Sequence, residues 1–225
     1  MASRPIYQFY AELDGYSPKI WRRFQVRDNI TAARLAYINM TLFEMQASHL
    51  FSFELREENS DILKLFMIPD EESDIWNENV KQFDATGIKI SAMVPVVKTR
   101  FRFVYDFGDD WGVLMTLEDI ITDEDLPSGE LPRVLGGAGF GIVEDCGGIP
   151  GLENLAKAFK KKRGKEYKEL REWLGVDDFD LTAFDIDDMN FRLKKIPRIY
   201  ARIYERGIGP TRQSIDLLER KYLKK

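Results

Sequence analysis

His49, Cys146 and the acids Asp106, Asp109, Asp110, Glu144 and Asp145 are the residues of this 225-residue chain whose types could do chemistry. An oxygen-rich set with one imidazole could hold Mg²⁺ or Mn²⁺, the ions that carboxylates favour in phosphoryl chemistry. Zinc is a poorer fit, because one histidine and one cysteine cannot supply the usual N/S ligand sets within one chain. A Ser-His-Asp triad would have to use His49, and no nucleophile elbow is present. Asp106-Phe107-Gly108 spells DFG, but a kinase also needs a Gly-rich loop, a strand lysine and a His-Arg-Asp loop. The sole histidine is instead followed by Leu50-Phe51, which excludes the kinase. "GGAGFG" at 136–141 places Ile142 where a dinucleotide fingerprint needs its third glycine, and "RGKEYK" at Arg163 lacks the flanks of a P-loop.

Acids in turns and loops more commonly form turns and ion pairs. A lone histidine at the start of an apolar strand is more commonly structural, and Cys146 under a Gly-rich loop reads as a small hydrophobe rather than a reactive thiol. The residues therefore read as a non-catalytic set with no cofactor. The alternative is a divalent-metal hydrolase or phosphodiesterase using Mg or Mn with Asp106, Asp109, Asp145 and His49.

The elements that must position these residues can be read from periodicity. Tyr7, Phe9, Ala11 and Leu13 alternate with polar neighbours as a half-buried strand, and Asp14-Gly15 turns the chain. "KIWRRFQV" returns with Ile20, Phe24 and Val26 on one face and Trp21, Arg23 and Gln25 on the other. Arg22 then falls on the apolar face and needs either an anionic or carbonyl partner, or a bulge that turns it outward.

Leu35, Ile38, Leu42 and Met45 mark an amphipathic helix from Ala32 to Gln46, with Thr31 as N-cap. "HLFSFELRE", "ILKLFMI" and "GIKISAMV" read as strands, and Pro69–Gly87 as an acidic surface excursion. Phe101, Phe103, Tyr105 and Phe107 share a face of one strand, and Trp111, Val113, Met115 and Leu117 a face of the next. Gly108-Asp109-Asp110 joins them, so "YDFGDDW" reads as a hairpin. We expect Asp106 or Asp109 to receive Arg22 or Arg23 across the fold. Thr122 to Pro150 reads as a long Gly- and Pro-rich loop, succeeded by helices through Leu152–Phe159, Tyr167–Trp173 and Met189–Leu193.

One cysteine allows no internal disulfide, the first residues lack a secretory core, and no apolar run suits a bilayer crossing. These features suggest a cytoplasmic protein with no membrane partner. The net charge of -5 hides an asymmetry. From Arg192 to Lys225 there are eleven Lys/Arg against three Asp/Glu, or +8, which leaves -13 on the rest. A basic tail of this kind reaches an acidic partner or lies on its own acidic body. Arg198, Arg202, Arg206, Arg212, Arg220 and Lys221, interleaved with Tyr200, Tyr204 and Tyr222, suit nucleic acid or an acidic protein surface. Ile203, Ile215 and Leu218 could instead make a homodimer contact between tail helices.

Taken in order, "IYQFYAELDGYSPKIWRRFQV", "SHLFSFEL", "FRFVYDFGDDW", "VEDCGGIPGLENL" and "REWLG" with "FD" resemble the plasmid pRiA4b ORF-3-like family, over roughly Pro5 to Leu193. The resemblance implies an α+β domain, found on plasmids and as a passenger of insertion sequences, with no securely established activity. It carries over to Ile20, Trp21, Arg22, Arg23, His49, Tyr105, Asp106, Phe107, Gly108, Asp109, Trp111, Glu144, Asp145, Cys146, Gly147 and Gly148. Phe51 and Val113 stand where many members have further histidines, and Ile142-Val143 where a Pro-Pro is usual. If those histidines bind metal in relatives, most of that site is lost here. We thus expect residues 1–193 to form an α+β domain, with a mixed or antiparallel sheet packed on an amphipathic helix, and residues 194–225 a basic helical extension. Its expected role is an accessory binding module of mobile elements or nucleic-acid metabolism.

Overall fold

The computed structural model describes residues 4–56, 61–69 and 77–224. Strands β1 (Ile6–Leu13), β2 (Trp21–Arg27), β3 (Phe51–Arg56), β4 (Leu63–Met67), β5 (Val80–Asp84), β6 (Arg100–Tyr105), β7 (Trp111–Ile121) and β8 (Arg133–Ala138) form one eight-stranded sheet in the order β5-β4-β3-β6-β7-β1-β2-β8. The pairings are antiparallel except β4 with β5. Helices are α1 (Ala32–Leu42), α2 (Ile90–Met93), α3 (Gly148–Lys161), α4 (Lys165–Leu174), α5 (Ile186–Leu193), α6 (Ile196–Arg206) and α7 (Arg212–Leu218). The fold is α+β.

Alternation places Phe9, Phe24, Phe53, Phe103 and Val113 on the covered face of the sheet, against α1. Thr31 caps α1 by accepting from the Arg34 N–H at 3.1 Å. The opposite face carries Tyr10, Trp21, Arg23, Gln25 and Glu118, linked by hydrogen bonds and a Tyr10–Trp21 stack.

Several expectations are revised by tertiary context. "GIKISAMV" contains the short helix α2 rather than a strand; its apolar residues Ile90 and Met93 are three apart and both turn to the core. The excursion after Pro69 contains strand β5, which pairs with β4, while residues 70–76 lie outside the described residues. The Thr122–Pro150 segment holds strand β8, paired with β2. Phe107 is 51% exposed at the hairpin tip instead of sharing the core face of β6. Helix α1 stops at Leu42 because Glu44 turns left-handed (φ 64).

Arg22 is fully buried on the apolar face, and its partners are carbonyls. Nε donates to Leu42 O (2.9 Å), Nη1 to Trp21 O and Ala138 O (2.8 Å each), and Nη2 to Gly139 O (2.7 Å) and Phe140 O (2.8 Å). All five N–H directions of a guanidinium are thereby used. The expected pairing of Arg22 or Arg23 with Asp106 or Asp109 is therefore incorrect: Arg22 is saturated by backbone, and Arg23 sits on the other face in a bidentate pair with Glu118 (2.7 and 2.8 Å). Burial lowers the Arg22 pKa to about 10, which leaves it cationic at neutral pH. Phe184 lies over its guanidinium at 4.2 Å. A Cβ at Gly137 would meet Trp21 O at 2.8 Å and Arg22 Cδ at 2.9 Å, so only glycine lets β8 approach.

The tail folds back on the body. Ile196 and Tyr200 of α6 are buried in the common core, and α6 packs on α1. Among the described residues no helix is long and apolar enough to cross a membrane.

Substituting Arg22 by Met strips the donor from five carbonyls, at about 1–3 kcal/mol for each one that water cannot reach. Urea denaturation should show a loss above about 3 kcal/mol, and an unchanged midpoint would refute this account of the guanidinium.

Candidate functional site

The acids singled out by the hairpin and by the Gly-rich loop converge on His49, which enters β3. The Phe51–Tyr105 register sets the end of β6 beside the start of β3, and Asp106 then turns out in the left-handed region (φ 57). Ile142 N–H donates to Phe43 O at 2.9 Å and holds the incoming loop against the end of α1. The loop then delivers Glu144 and Asp145. His49 Nε2 lies 3.6 Å from Asp106 Oδ2, 3.6 Å from Glu144 Oε2 and 3.7 Å from Asp145 Oδ1. These distances exceed hydrogen-bond range, so the imidazole faces three carboxylates without being locked to one.

Glu144 is the inner member, its side chain only 8% exposed. Its Oε1 accepts from Tyr105 O–H (2.8 Å) and Gln46 N–H (2.7 Å), whereas Oε2 makes no hydrogen bond. Burial raises its pKa above the ordinary value, against the lowering effect of those donors and of His49. Burial likewise raises the Tyr105 phenol, which also accepts from Ser48 N–H at 3.1 Å. Asp145 is the outer member, 76% exposed.

Cys146 packs beneath the loop with its thiol toward Gly148 O at 3.7 Å. Burial, then the nearby Asp109 charge, pushes its pKa up to about 11, so it remains a thiol at neutral pH. Gly148 lies against the hairpin turn: a Cβ there would meet Asp109 O at 2.8 Å.

The site thus gathers His49, Tyr105, Asp106, Glu144 and Asp145, with Asp109 and Cys146 at its flank. Trp111 is in the core, and Arg22 and Arg23 lie elsewhere. Among the described residues no three His, Cys, Asp or Glu side chains form a group that could hold a metal ion. His49 itself stands among the carboxylates.

Sequence reasoning missed the tail's share of this site. Tyr204 O–H donates to His49 O, and Tyr200 O–H donates to Met45 O at 2.5 Å. Tyr222 O–H donates to Asp188. The tyrosines assigned to nucleic acid are therefore turned inward; the signal was the spacing of Ile196, Tyr200, Ile203 and Tyr204, one face of a helix. Ile203 and Leu218 also pack on the chain's own core. A cavity of 480 Å³ opens beside Glu144 and Asp145, and a second of 350 Å³ shares Asp145 and the half-exposed Trp173 with it.

The family described as plasmid pRiA4b ORF-3-like protein matches residues 5–188. The chain belongs to that family. Within this family setting, it is 27% identical over 191 residues to the uncharacterized protein y4hQ of Sinorhizobium fredii, across 84% of this chain and 91% of the relative. It also resembles the crystal structure of a protein of unknown function, MM3350, from Methanosarcina mazei Go1. That similarity has a TM-score of 0.70 at 27% identity and covers 83% of this chain and 98% of the other. The matched region includes His49, Tyr105, Asp106, Asp109, Glu144, Asp145 and Cys146, whereas α6 and α7 lie beyond residue 188.

The raised Glu144 pKa has a definite sign for stability. Above the ordinary value of 4.5 an unfolded chain ionises this carboxyl before the folded one does, so folded stability falls as pH rises through that window. Glu144→Gln, which keeps an acceptor for Tyr105 and Gln46, should gain Tm relative to the parent as pH goes from 4 to 7. A Tm difference constant across that range would contradict the assignment.

Proposed function

We propose that the protein is a non-catalytic accessory module of mobile elements or nucleic-acid metabolism, and that it takes nucleic-acid phosphates on the outer face of α6. The observation that carries this reading is the stripe of Arg198, Arg202 and Arg206. All three are exposed, spaced by one helical turn, and without an ion pair among the described residues. At 1.5 Å per residue the stripe is about 12 Å long, a scale on which arginines meet successive phosphates of one backbone.

The other basic residues contribute unequally. Arg220 is bound to Glu44 and Asp188, which removes it from the phosphate-binding set. Arg212 and Lys221 share Asp216 at 3.9 and 3.7 Å. The metal-hydrolase alternative has less support, because Asp106, Asp109 and Asp145 belong to no group among the described residues that could hold an ion.

The test is fluorescence anisotropy with a labelled duplex across a salt series. Changing Arg198, Arg202 and Arg206 together to Gln should weaken binding at least tenfold and reduce the salt slope by about 3. An unaltered slope, or no binding by the parent chain at low salt, refutes the proposal.

A further inference from the structure

Beyond α6 the chain runs exposed from Gly207 to Thr211 before α7, which buries no residue. What fastens this segment to the body is Arg220. Its Nη1 and Nη2 donate to the two Glu44 oxygens at 2.8 and 2.6 Å, and its Nε donates to Asp188 Oδ2 at 3.0 Å. The receiving carboxylates are deeply buried, Glu44 5% and Asp188 8% exposed, whereas Arg220 itself is 25% exposed. Phe140 lies against the guanidinium at 5.5 Å.

On the body's side, Arg192 already meets Glu44. Glu44 also accepts both bonds of Arg192 Nη1, at 2.7 and 2.8 Å. Asp188 has its ion pair among the described residues with Arg220 alone, so without that guanidinium a nearly buried carboxylate loses its cation. An ammonium is a point donor, whereas a planar fork matches the two Glu44 oxygens and reaches Asp188 with its third N–H.

We propose that the Glu44–Asp188 cleft is a binding site for the guanidinium of an arginine-bearing peptide, that Arg220 occupies it in cis, and that residues 207–222 are a strap which exchanges with such a peptide. The strap has little else to hold it. Tyr222 bonds Asp188 and packs on Phe191 with ring centroids at 5.1 Å, and Leu217 and Leu218 rest on the core without being buried. Leu218, Glu219 and Arg220 line the 480 Å³ cavity together with Glu144 and Asp145. Release of the strap therefore removes one wall of the cavity beside Glu144 and Asp145.

The test uses the full chain carrying Arg220→Gln and a fluorescein-labelled peptide with the sequence of residues 208–222. Anisotropy should show saturable binding to the variant, at least tenfold tighter than to the parent chain, and lost when the peptide's own arginine at 220 is replaced by Gln. No binding to the variant, equal binding to both proteins, or undiminished binding of a peptide with Lys at 220 overturns the proposal. Hydrogen exchange on the unmodified chain gives a reading that does not depend on the variant folding. Amides of 212–218 should exchange at least tenfold faster than those of 199–205, and equal protection overturns the strap.

Discussion

The fold hangs on one buried cation whose partners are all backbone. Arg22 reaches from the start of β2 to the last turn of α1, to Ala138 at the end of β8, and to Gly139 and Phe140 beyond it. A carboxylate in that position would have neutralised the charge at one point. Five carbonyls spread it over three elements, and each is a group that would otherwise need water. The arrangement also sets the course of the loop after β8: once Gly139 and Phe140 are anchored, Gly141 and Ile142 pass against Phe43, and Glu144 arrives beside His49.

Much of this was legible in the residues, and the failures have physical reasons. Alternation in β1 and β2 put Arg22 on the covered face correctly, and the aromatic alternation of β6 and β7 identified their hairpin. Nothing in a period-two pattern says whether a buried guanidinium will find carboxylates or carbonyls. The carboxylates of Asp106 and Asp109 were the obvious candidates, but they lie past the end of β6, which is three strands away from β2 in the sheet. Strand β8 was hidden because "RVLGGA" is half glycine and alanine: its glycines exist to let β2 and Arg22 come close, and that same feature makes the segment read as a loop. Helix α2 is too short for periodicity to tell it from a strand.

The site around His49 was partly visible for a different reason. Turn-forming acids and a Gly-rich loop are local signals, and both were read as such. That they meet depends on the long-range pairing of β3 with β6 and on the anchoring of the loop by Arg22. The tail's contribution was masked by its charge: eleven basic residues drew attention to the outer face of α6, whereas Tyr200 and Tyr204, which hold the helix to the body, were counted with the basic face.

The margin of the sheet at β8 is answered by a side chain. Asn190 of α5 accepts from Val134 N–H at 2.9 Å and donates to Val134 O at 3.1 Å, reproducing with its amide the two bonds a ninth strand would make there. A primary amide imitates one peptide unit and then stops, so it ends the ladder where another strand would continue it. Such a terminator guards a protein with a broad sheet against templating copies of itself into fibres.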